Sequence, residues 1–340
     1  MRSHGRRQSV VHVAFLAIQL PHQRLEPMLS VAATIVQHSH SGVALRLHVI
    51  ADQPPQPLLA YLRLRTRSNR YSWRTHSTTN APLWVSQLHR RLCSRGCRGP
   101  VCSAFMHKPL LHLYLPPTLP RVIFLDSDVA LLSDISRLWH LFDRFSPQQA
   151  IGLADEENSP ASQEPVVALG GISSNGGVEL LNLARMRRSG YTALLGRYAD
   201  GDARLPLNPS GRGIGILGEQ VLYSWMSVNG TPGHQLFGRL PCSWNRQVAS
   251  WPSHVSSEDA GRPQRFCTSG CDLLHGAGAE GKGLIMALRL NLTGAGCRVA
   301  FERARGTSRH YAPGSPSEAL LLRVRDGCCG ALEHTNAAWV

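Results

Sequence analysis

The feature that most constrains the fold is an alternation of strand and helix patterns in the first fifty residues. Residues 10–18 are apolar and rich in β-branched side chains, which indicates a buried strand. Residues 25–37 carry apolar side chains at helical spacing, and residues 44–51 form a second strand pattern. A strand, a helix and a strand in this order predict a βαβ unit, in which the two strands are parallel. The chain is therefore predicted to be an α/β protein with a Rossmann-like, mostly parallel central sheet flanked by helices.

The alternation continues along the chain. Further strands are predicted in residues 121–125, 150–154, 178–183 and 236–240, and the readable pattern closes with Leu273, Leu274 and His275, where His275 follows a strand. Further helices are predicted in residues 57–64, 106–113, 134–145, 184–198 and 219–228. These elements predict one domain over residues 10–299, preceded by a basic leader (1–9). We expect a variable or poorly ordered insert at about 65–103 and a poorly ordered, Arg-rich tail at 300–340.

The charge of the chain raises the question of an anionic partner. The 340 residues have a formal net charge of +14, which is typical of proteins that bind nucleic acids or phosphates. However, Lys108 and Lys282 are the only lysines, and the arginines are spread along the chain without a dense run. No nucleic-acid partner is therefore expected, although a basic nucleic-acid-binding protein stays open as an alternative.

Targeting signals and cysteines give less direct information. The first residues resemble a signal peptide, but their apolar run contains His12 and lacks a small-residue cleavage site. We therefore interpret this run as the first strand, and expect membrane association only through a segment not visible in this sequence. The nine cysteines form no CxxC pair, and their odd number leaves at least one unpaired within the chain. Asn229 and Asn291 each begin an N-glycosylation sequon.

Two carboxylates follow a buried strand in the middle of the chain. Residues 122–125 (VIFL) are all apolar, as in a strand that is buried on both faces, and Asp126 and Asp128 come directly after them. In open α/β sheets, ligands bind beyond the carboxyl ends of such strands. Because two nearby carboxylates repel each other, a divalent cation that binds both would relieve the repulsion. A polar turn after the strand is the alternative interpretation.

The context of this motif resembles the family 8 glycosyltransferases, which are GT-A enzymes that use nucleotide sugars. The apolar strand, the Asp-Ser-Asp motif, a second apolar run and a helix with Trp139 follow one another as in that family. The segments ISSNGGVELLNLARM and ILGEQVLYSW resemble two further motifs of the family. The segments LPCSWNRQ and RFCTSGCDLLHG are similar to its xyloside xylosyltransferase branch. The fold implied is the GT-A nucleotide-diphospho-sugar transferase fold.

The resemblance implies a role for each matching position. Asp126, Asp128 and His275 would bind the metal, for which the imidazole favours Mn²⁺ while leaving Mg²⁺ open. Gln220 and Asp128 would be the catalytic residues. The positions implied to contact the UDP-sugar donor are Ala14, Phe15, Leu16, Ser127, Asn175, Leu217, Gln220 and Lys282. A disulfide between Cys242 and Cys267 is also implied.

Three departures from the family pattern keep a second alternative open. Gly176 stands at the place of a small polar residue, Glu219 at that of an aspartate, and Ala277 at that of an asparagine. An active enzyme would transfer a sugar, for which xylose is the first candidate, from UDP to a xyloside or other glycan on a glycoprotein. The resemblance implies retention of configuration at the anomeric carbon and an α-1,3 linkage. The acceptor would be an epidermal-growth-factor-like repeat, in the lumen of the endoplasmic reticulum or Golgi. The alternative is a degenerate relative that binds nucleotide without transfer.

Overall fold

The structure of the protein is a computed structural model. It describes residues 10–19, 25–40, 42–65, 70–157, 164–201, 217–248, 270–276, 282, 284–285, 289, 294–307, 321–322 and 324–330. The strands are β1 Val10–Ala17, β2 Ala44–Ala51, β3 Tyr71–Ser77, β4 Val122–Leu125, β5 Val129–Leu131, β6 Ile151–Asp155, β7 Ser174–Leu181, β8 Phe237–Arg239, β9 Arg246–Gln247 and β10 Leu273–His275. The α-helices are α1 Glu26–His38, α2 Pro55–Arg65, α3 Leu83–Ser94, α4 Gly99–Phe105, α5 Leu111–Tyr114, α6 Ile135–His140, α7 Glu164–Ala168, α8 Leu183–Arg188, α9 Tyr191–Asp200, α10 Glu219–Met226 and α11 Gly294–Thr307.

A seven-stranded sheet with the strand order β3-β2-β1-β4-β7-β6-β8 forms the centre of the molecule. The strands β3, β2, β1 and β4 are parallel, as are β6 and β8, whereas β7 is antiparallel to both β4 and β6. A smaller sheet has the strand order β5-β10-β9. Its first strand, β5, follows β4 directly in the chain. The prediction of an α/β fold with a mostly parallel central sheet is confirmed.

The apolar strands divide the core between the two faces of the sheet. Because side chains alternate along a strand, β1 directs Val13 and Phe15 into one apolar cluster, which includes the buried face of α1. It directs Ala14 into a second cluster, which includes residues of α9 and α10. All four residues of β4 are buried, as their continuous apolar run predicted. This rigid centre fixes the end of β4, from which Asp126 and Asp128 project.

The expected insert and tail contain more structure than their sequences indicated. The segment 65–103 supplies β3, which is an edge strand of the central sheet, and α3. Its polar composition hid the strand, because an edge strand with a solvent-facing side has no continuous apolar run. The expected tail contains most of α11 and two cysteines that form disulfides with Cys271 and Cys297. The domain boundaries themselves stay a prediction.

The cysteines of the described residues are mostly paired. Disulfides join Cys97 to Cys102, Cys271 to Cys328, and Cys297 to Cys329, while Cys93 has a free thiol. Cys242 is also disulfide-bonded, but its expected partner Cys267 lies outside the described residues, so that pairing stays a prediction. Among the residues that the structure describes, no helix is long and apolar enough to cross a membrane.

Three histidines form a hydrogen-bonded row across neighbouring strands. Nδ1 of His12 lies 2.9 Å from Nε2 of His48, and Nδ1 of His48 lies 3.0 Å from Nε2 of His76. Burial, together with the adjacent rings and the positive charges of Arg46 and Arg74, lowers the pKa of His48 to about 3. Burial likewise lowers the pKa of His12 and that of His76 to about 4. The folded protein therefore holds these rings neutral at pH 7.

This row predicts a loss of stability in mild acid. The unfolded chain, in which a histidine has a pKa near 6.5, binds protons that the folded rings exclude. The free energy of unfolding should therefore be highest above pH 6.5 and fall as the pH drops towards 4. Between pH 7.5 and 5, His48→Gln should lose about 2 kcal/mol less than the wild type, as measured by urea unfolding. His140→Gln, at an exposed position, is the control, and equal losses in His48→Gln and the wild type would contradict the prediction.

Candidate active site

Asp126 and Asp128 lie where β4 meets β7 and the smaller sheet. The amide of Asp126 donates to the carbonyl of Gly177 (3.0 Å), which joins the motif to β7. The carbonyl of Asp128 accepts from the amide of Gly276 (2.8 Å), which joins it to the end of β10. Because β5 and β10 pair antiparallel, with His275 opposite Val129, the imidazole is brought next to the two carboxylates.

The three side chains converge on one point. Asp126, Asp128 and His275 each offer a ligand atom, and these atoms lie within 4.8 Å of one another. Nε2 of His275 is 3.4 Å from Oδ1 of Asp128. The other ring nitrogen, Nδ1, is buried and accepts or donates no hydrogen bond among the described residues. Two carboxylate oxygens and an imidazole nitrogen suit a divalent cation such as Mn²⁺, so the donor set fits the implied metal.

Electrostatics couple His275 to Asp128. Burial raises the pKa of Asp128, but the neighbouring His275 and Lys282 outweigh burial and lower that pKa to about 2. Burial lowers the pKa of His275, but Asp128 and the other carboxylates outweigh it and raise that pKa. Nζ of Lys282 lies 3.6 Å from Oδ2 of Asp128, and its side chain is 60% exposed. It is thus a solvent-exposed cation at the edge of the site.

Gly177 leaves the space that His275 occupies. A Cβ atom built on Gly177 would overlap the imidazole ring, which lies directly against the backbone of β7. Any side chain at this position would push the ring away from Asp128. The glycine is therefore part of the geometry of the candidate metal site, although it has no functional group.

Lys108 is a site residue that the sequence reasoning missed. Its side chain is fully buried, and Nζ donates to the carbonyl of Gly176 (2.8 Å), to Oε1 of Glu219 (2.9 Å) and to the carboxylate of Asp126 (3.1 Å). Burial lowers the pKa of Lys108, but Asp126, Glu219 and Glu179 outweigh it and hold that pKa above its usual value. The available signal was that Lys108 is one of two lysines in an arginine-dominated chain.

Two of the departures from the family pattern fit each other. A Cβ atom on Gly176 would overlap Oε1 of Glu219 and would lie 3.1 Å from Nζ of Lys108. The longer side chain of Glu219 therefore fills the space that a serine at position 176 would take. Burial raises the pKa of Glu219 to about 7, in spite of the opposing charge of Lys108. The third departure, Ala277, lies outside the described residues.

Asn175 and Gln220 lie on the β7 and α10 sides of the same site. Oδ1 of Asn175 accepts from the amide of Gly177 (3.0 Å) and from Nδ2 of Asn245 (2.8 Å), and its Nδ2 donates to Glu156 (2.8 Å). Gln220 is in the first turn of α10, where its backbone N–H donates to the backbone carbonyl of Leu217 (3.2 Å). Its Cγ would lie 3.3 Å from a Cβ on Gly176, so Gln220 borders the cluster of Lys108 and Glu219. Sequence reasoning gave no role to Glu156, which lies in a loop without a distinguishing pattern, or to Asn245, although the segment LPCSWNRQ that contains it was recognised.

The three positions on β1 that are predicted to contact the UDP-sugar donor differ in how exposed their side chains are. The side chains of Ala14 and Phe15 are buried in the core on opposite faces of the sheet, and that of Leu16 is half-buried. Of these three positions, Leu16 is the one with side-chain surface to offer a ligand. Ser127 lies in the turn between the two aspartates and is half-buried.

Comparisons with known proteins give relatives that share part of the chain. No protein-family model matches it. The chain is 38% identical over 151 residues to the human xylosyl- and glucuronyltransferase LARGE2, which covers 41% of this chain and 19% of that protein. It is 29% identical over 190 residues to mouse xyloside xylosyltransferase 1, which covers 51% of this chain and 46% of that protein. The chain thus spans less than half the length of either relative.

A solved structure defines the fold. The chain is similar to the apo crystal structure of mouse xyloside xylosyltransferase 1, with a TM-score of 0.60 and 22% identity over 79% of this chain and 98% of that one. The chain therefore has the GT-A fold. These relatives agree with the resemblance to family 8 glycosyltransferases.

The fit between Gly176 and Glu219 can be tested by a double-mutant cycle. Gly176→Ser alone should destabilise the protein by about 1–3 kcal/mol, because its side chain overlaps Glu219. Glu219→Asp alone should also destabilise it, because the shorter side chain leaves buried Lys108 without one partner. The double variant should recover at least about 1 kcal/mol relative to the sum of the two, as measured by urea unfolding.

The control for this cycle is Gly196→Ser. Gly196 lies in α9, and a Cβ built there meets no atom within 4 Å. Its replacement should therefore leave stability nearly unchanged. Strictly additive effects of the substitutions at 176 and 219 would show that the two residues are not coupled.

Proposed function

We propose that this protein is a metal-dependent, retaining glycosyltransferase that moves a sugar, with xylose as the first candidate, from a UDP-sugar to a glycan on a protein. The observation that carries the proposal is the convergence of Asp126, Asp128 and His275 at the carboxyl end of β4. In an open α/β sheet this is the place where ligands bind. The GT-A fold and the similarity to two glycosyltransferases support the same activity.

The metal is best supported as Mn²⁺, with Mg²⁺ as the alternative. Asp126, Asp128 and His275 would hold it, and once bound it would neutralise charge that develops on the leaving diphosphate. Lys282 would add a second positive charge for the same diphosphate, because it is exposed and adjacent to Asp128. His275 would bind the metal as a neutral imidazole, because a ligand nitrogen must be free of its proton.

Charge and position would account for most of the catalysis. Asn175, which is bonded to Gly177, and Gln220, which lies next to Gly176, would orient the donor sugar together with Leu217. Lys108 and Glu219 would hold Asp126 and the backbone of Gly176 in place, because both are fully buried and form an ion pair with each other. In the same-face mechanism proposed for this family, the leaving phosphate accepts the proton of the acceptor hydroxyl, and the protein mainly holds the reactants in place.

A degenerate relative without transfer activity is the second candidate. The observation in its favour is that Nζ of Lys108 already forms an ion pair with Asp126, one of the three proposed metal ligands. Against it, the side chain of Glu219 occupies the space that Gly176 leaves open, which supports a site that accommodates both departures. Donor turnover separates the two candidates.

The name of one relative supports a class of acceptor, and the disulfides support a cellular compartment. Mouse xyloside xylosyltransferase 1 acts, as its name states, on a xyloside, so we propose a xylosylated glycoprotein as acceptor, with an α-1,3 linkage. An epidermal-growth-factor-like repeat is the expected carrier. The disulfides of the described residues form in an oxidising compartment, which supports the lumen of the endoplasmic reticulum or Golgi.

Hydrolysis of the donor tests the proposal without knowledge of the acceptor. UDP release should be measured with UDP-xylose, UDP-glucose, UDP-galactose and UDP-glucuronic acid, each with Mn²⁺, with Mg²⁺ and with chelator. We expect release from one donor, fastest with Mn²⁺, and a loss of at least about 100-fold in Asp128→Asn. Asp143→Asn, at an exposed position, is the matched control and should retain full activity.

No release from any donor, in folded protein that still binds UDP, would favour the degenerate relative. Metal-independent release that persists in Asp128→Asn would contradict the assignment of the site.

A further inference from the structure

Arg289 holds the backbone around Asp128. Its Nη2 donates to the carbonyl oxygens of Ser127 (2.7 Å) and Val129 (2.6 Å), and its Nε also donates to Val129 (3.1 Å). Its Nη1 donates to the carbonyl of Pro27 at the start of α1 (2.9 Å). A single guanidinium thus joins α1 to both residues that flank a proposed metal ligand.

The carbonyl of Asp128, which lies between those of Ser127 and Val129, has a different hydrogen-bond donor. The carbonyl of Asp128 itself accepts from the amide of Gly276 (2.8 Å). The three successive carbonyls of residues 127–129 are therefore all bonded, two by Arg289 and one by the residue after His275. Free rotation of the peptide units on either side of Asp128 is thereby restricted, and with it the direction in which the carboxylate points.

We propose that Arg289 is a positioning residue, which acts through the carbonyls of Ser127 and Val129 to aim the Asp128 carboxylate at the metal. The metal itself rests on the proposed function, but the contacts of Arg289 do not. Arginine is suited to this role because its planar fork can serve several carbonyl oxygens at once, which the single ammonium of lysine cannot do in the same geometry. Arg289→Lys therefore keeps the positive charge and removes the geometry.

A matched control exists elsewhere in the chain. Arg187, in α8, also binds backbone carbonyls with its guanidinium, namely those of His112, Leu115, Pro116, Pro117 and Leu119. These residues precede β4, whereas Asp126 and Asp128 follow it, so the two arginines hold opposite ends of one strand. Arg187→Lys removes an equivalent set of bonds without touching the proposed metal ligands.

The test is Mn²⁺ affinity, measured on the full chain by electron paramagnetic resonance without donor, together with the melting temperature. We expect Arg289→Lys and Arg289→Met to bind Mn²⁺ about tenfold or more weakly than the wild type. Arg187→Lys should lower the melting temperature and leave Mn²⁺ affinity unchanged. Because lysine is the milder replacement, it preserves the test if Arg289→Met does not fold.

Each outcome has a separate meaning. Wild-type affinity in Arg289→Lys, or an equal loss in Arg187→Lys, would overturn the role of Arg289 alone. Mn²⁺ binding by the wild type without turnover of any donor would overturn the proposed function and leave Arg289 supported or refuted by its own variants. No Mn²⁺ binding by the wild type, together with no release of UDP from any donor in the presence of Mg²⁺, would overturn both.

Discussion

The repulsion between two carboxylates at the end of a buried strand is the constraint around which this site is built. Asp126 and Asp128 are separated by one residue, and each has its own positive partner. Lys108 lies against Asp126, while His275 and Lys282 lie against Asp128. These partners come from two separate parts of the chain, one around Lys108 and one from His275 to Lys282, which are close to each other only in the fold. A divalent cation bound by these carboxylates and His275 would add its charge at the same point.

Small residues on β7 make this packing possible. His275 lies against the backbone of Gly177, and Glu219 occupies the space that a side chain on Gly176 would take. Two adjacent glycines in one strand therefore accept one side chain from the smaller sheet and one from α10. The departures at positions 176 and 219 therefore fit each other. A serine at position 176 would overlap Glu219, and an aspartate at position 219 would be too short to fill the space beside Gly176.

The sequence predicted the parts of the fold and the site that depend on local pattern. The segments at 10–18, 44–51 and 121–125 are dominated by apolar and β-branched residues, and each forms a largely buried strand of the central sheet. β3 was missed because it is a polar edge strand, and the two disulfides that anchor α11 and its surroundings have no sequence signature. Lys108 was missed because its role depends on Glu219, which is distant in sequence and close only in the fold. The side chains of Ala14 and Phe15 are directed into the core, which strand propensity alone does not reveal.

The most direct test of this account is anomalous diffraction from crystals grown with Mn²⁺ and UDP. The account predicts one strong manganese peak, with Asp126, Asp128 and His275 all within coordination distance. The ammonium of Lys108 should keep its bond to Glu219 and should not contact the metal. A structure with UDP bound and no manganese between these three residues would contradict the central claim. So would a manganese ion that His275 does not contact.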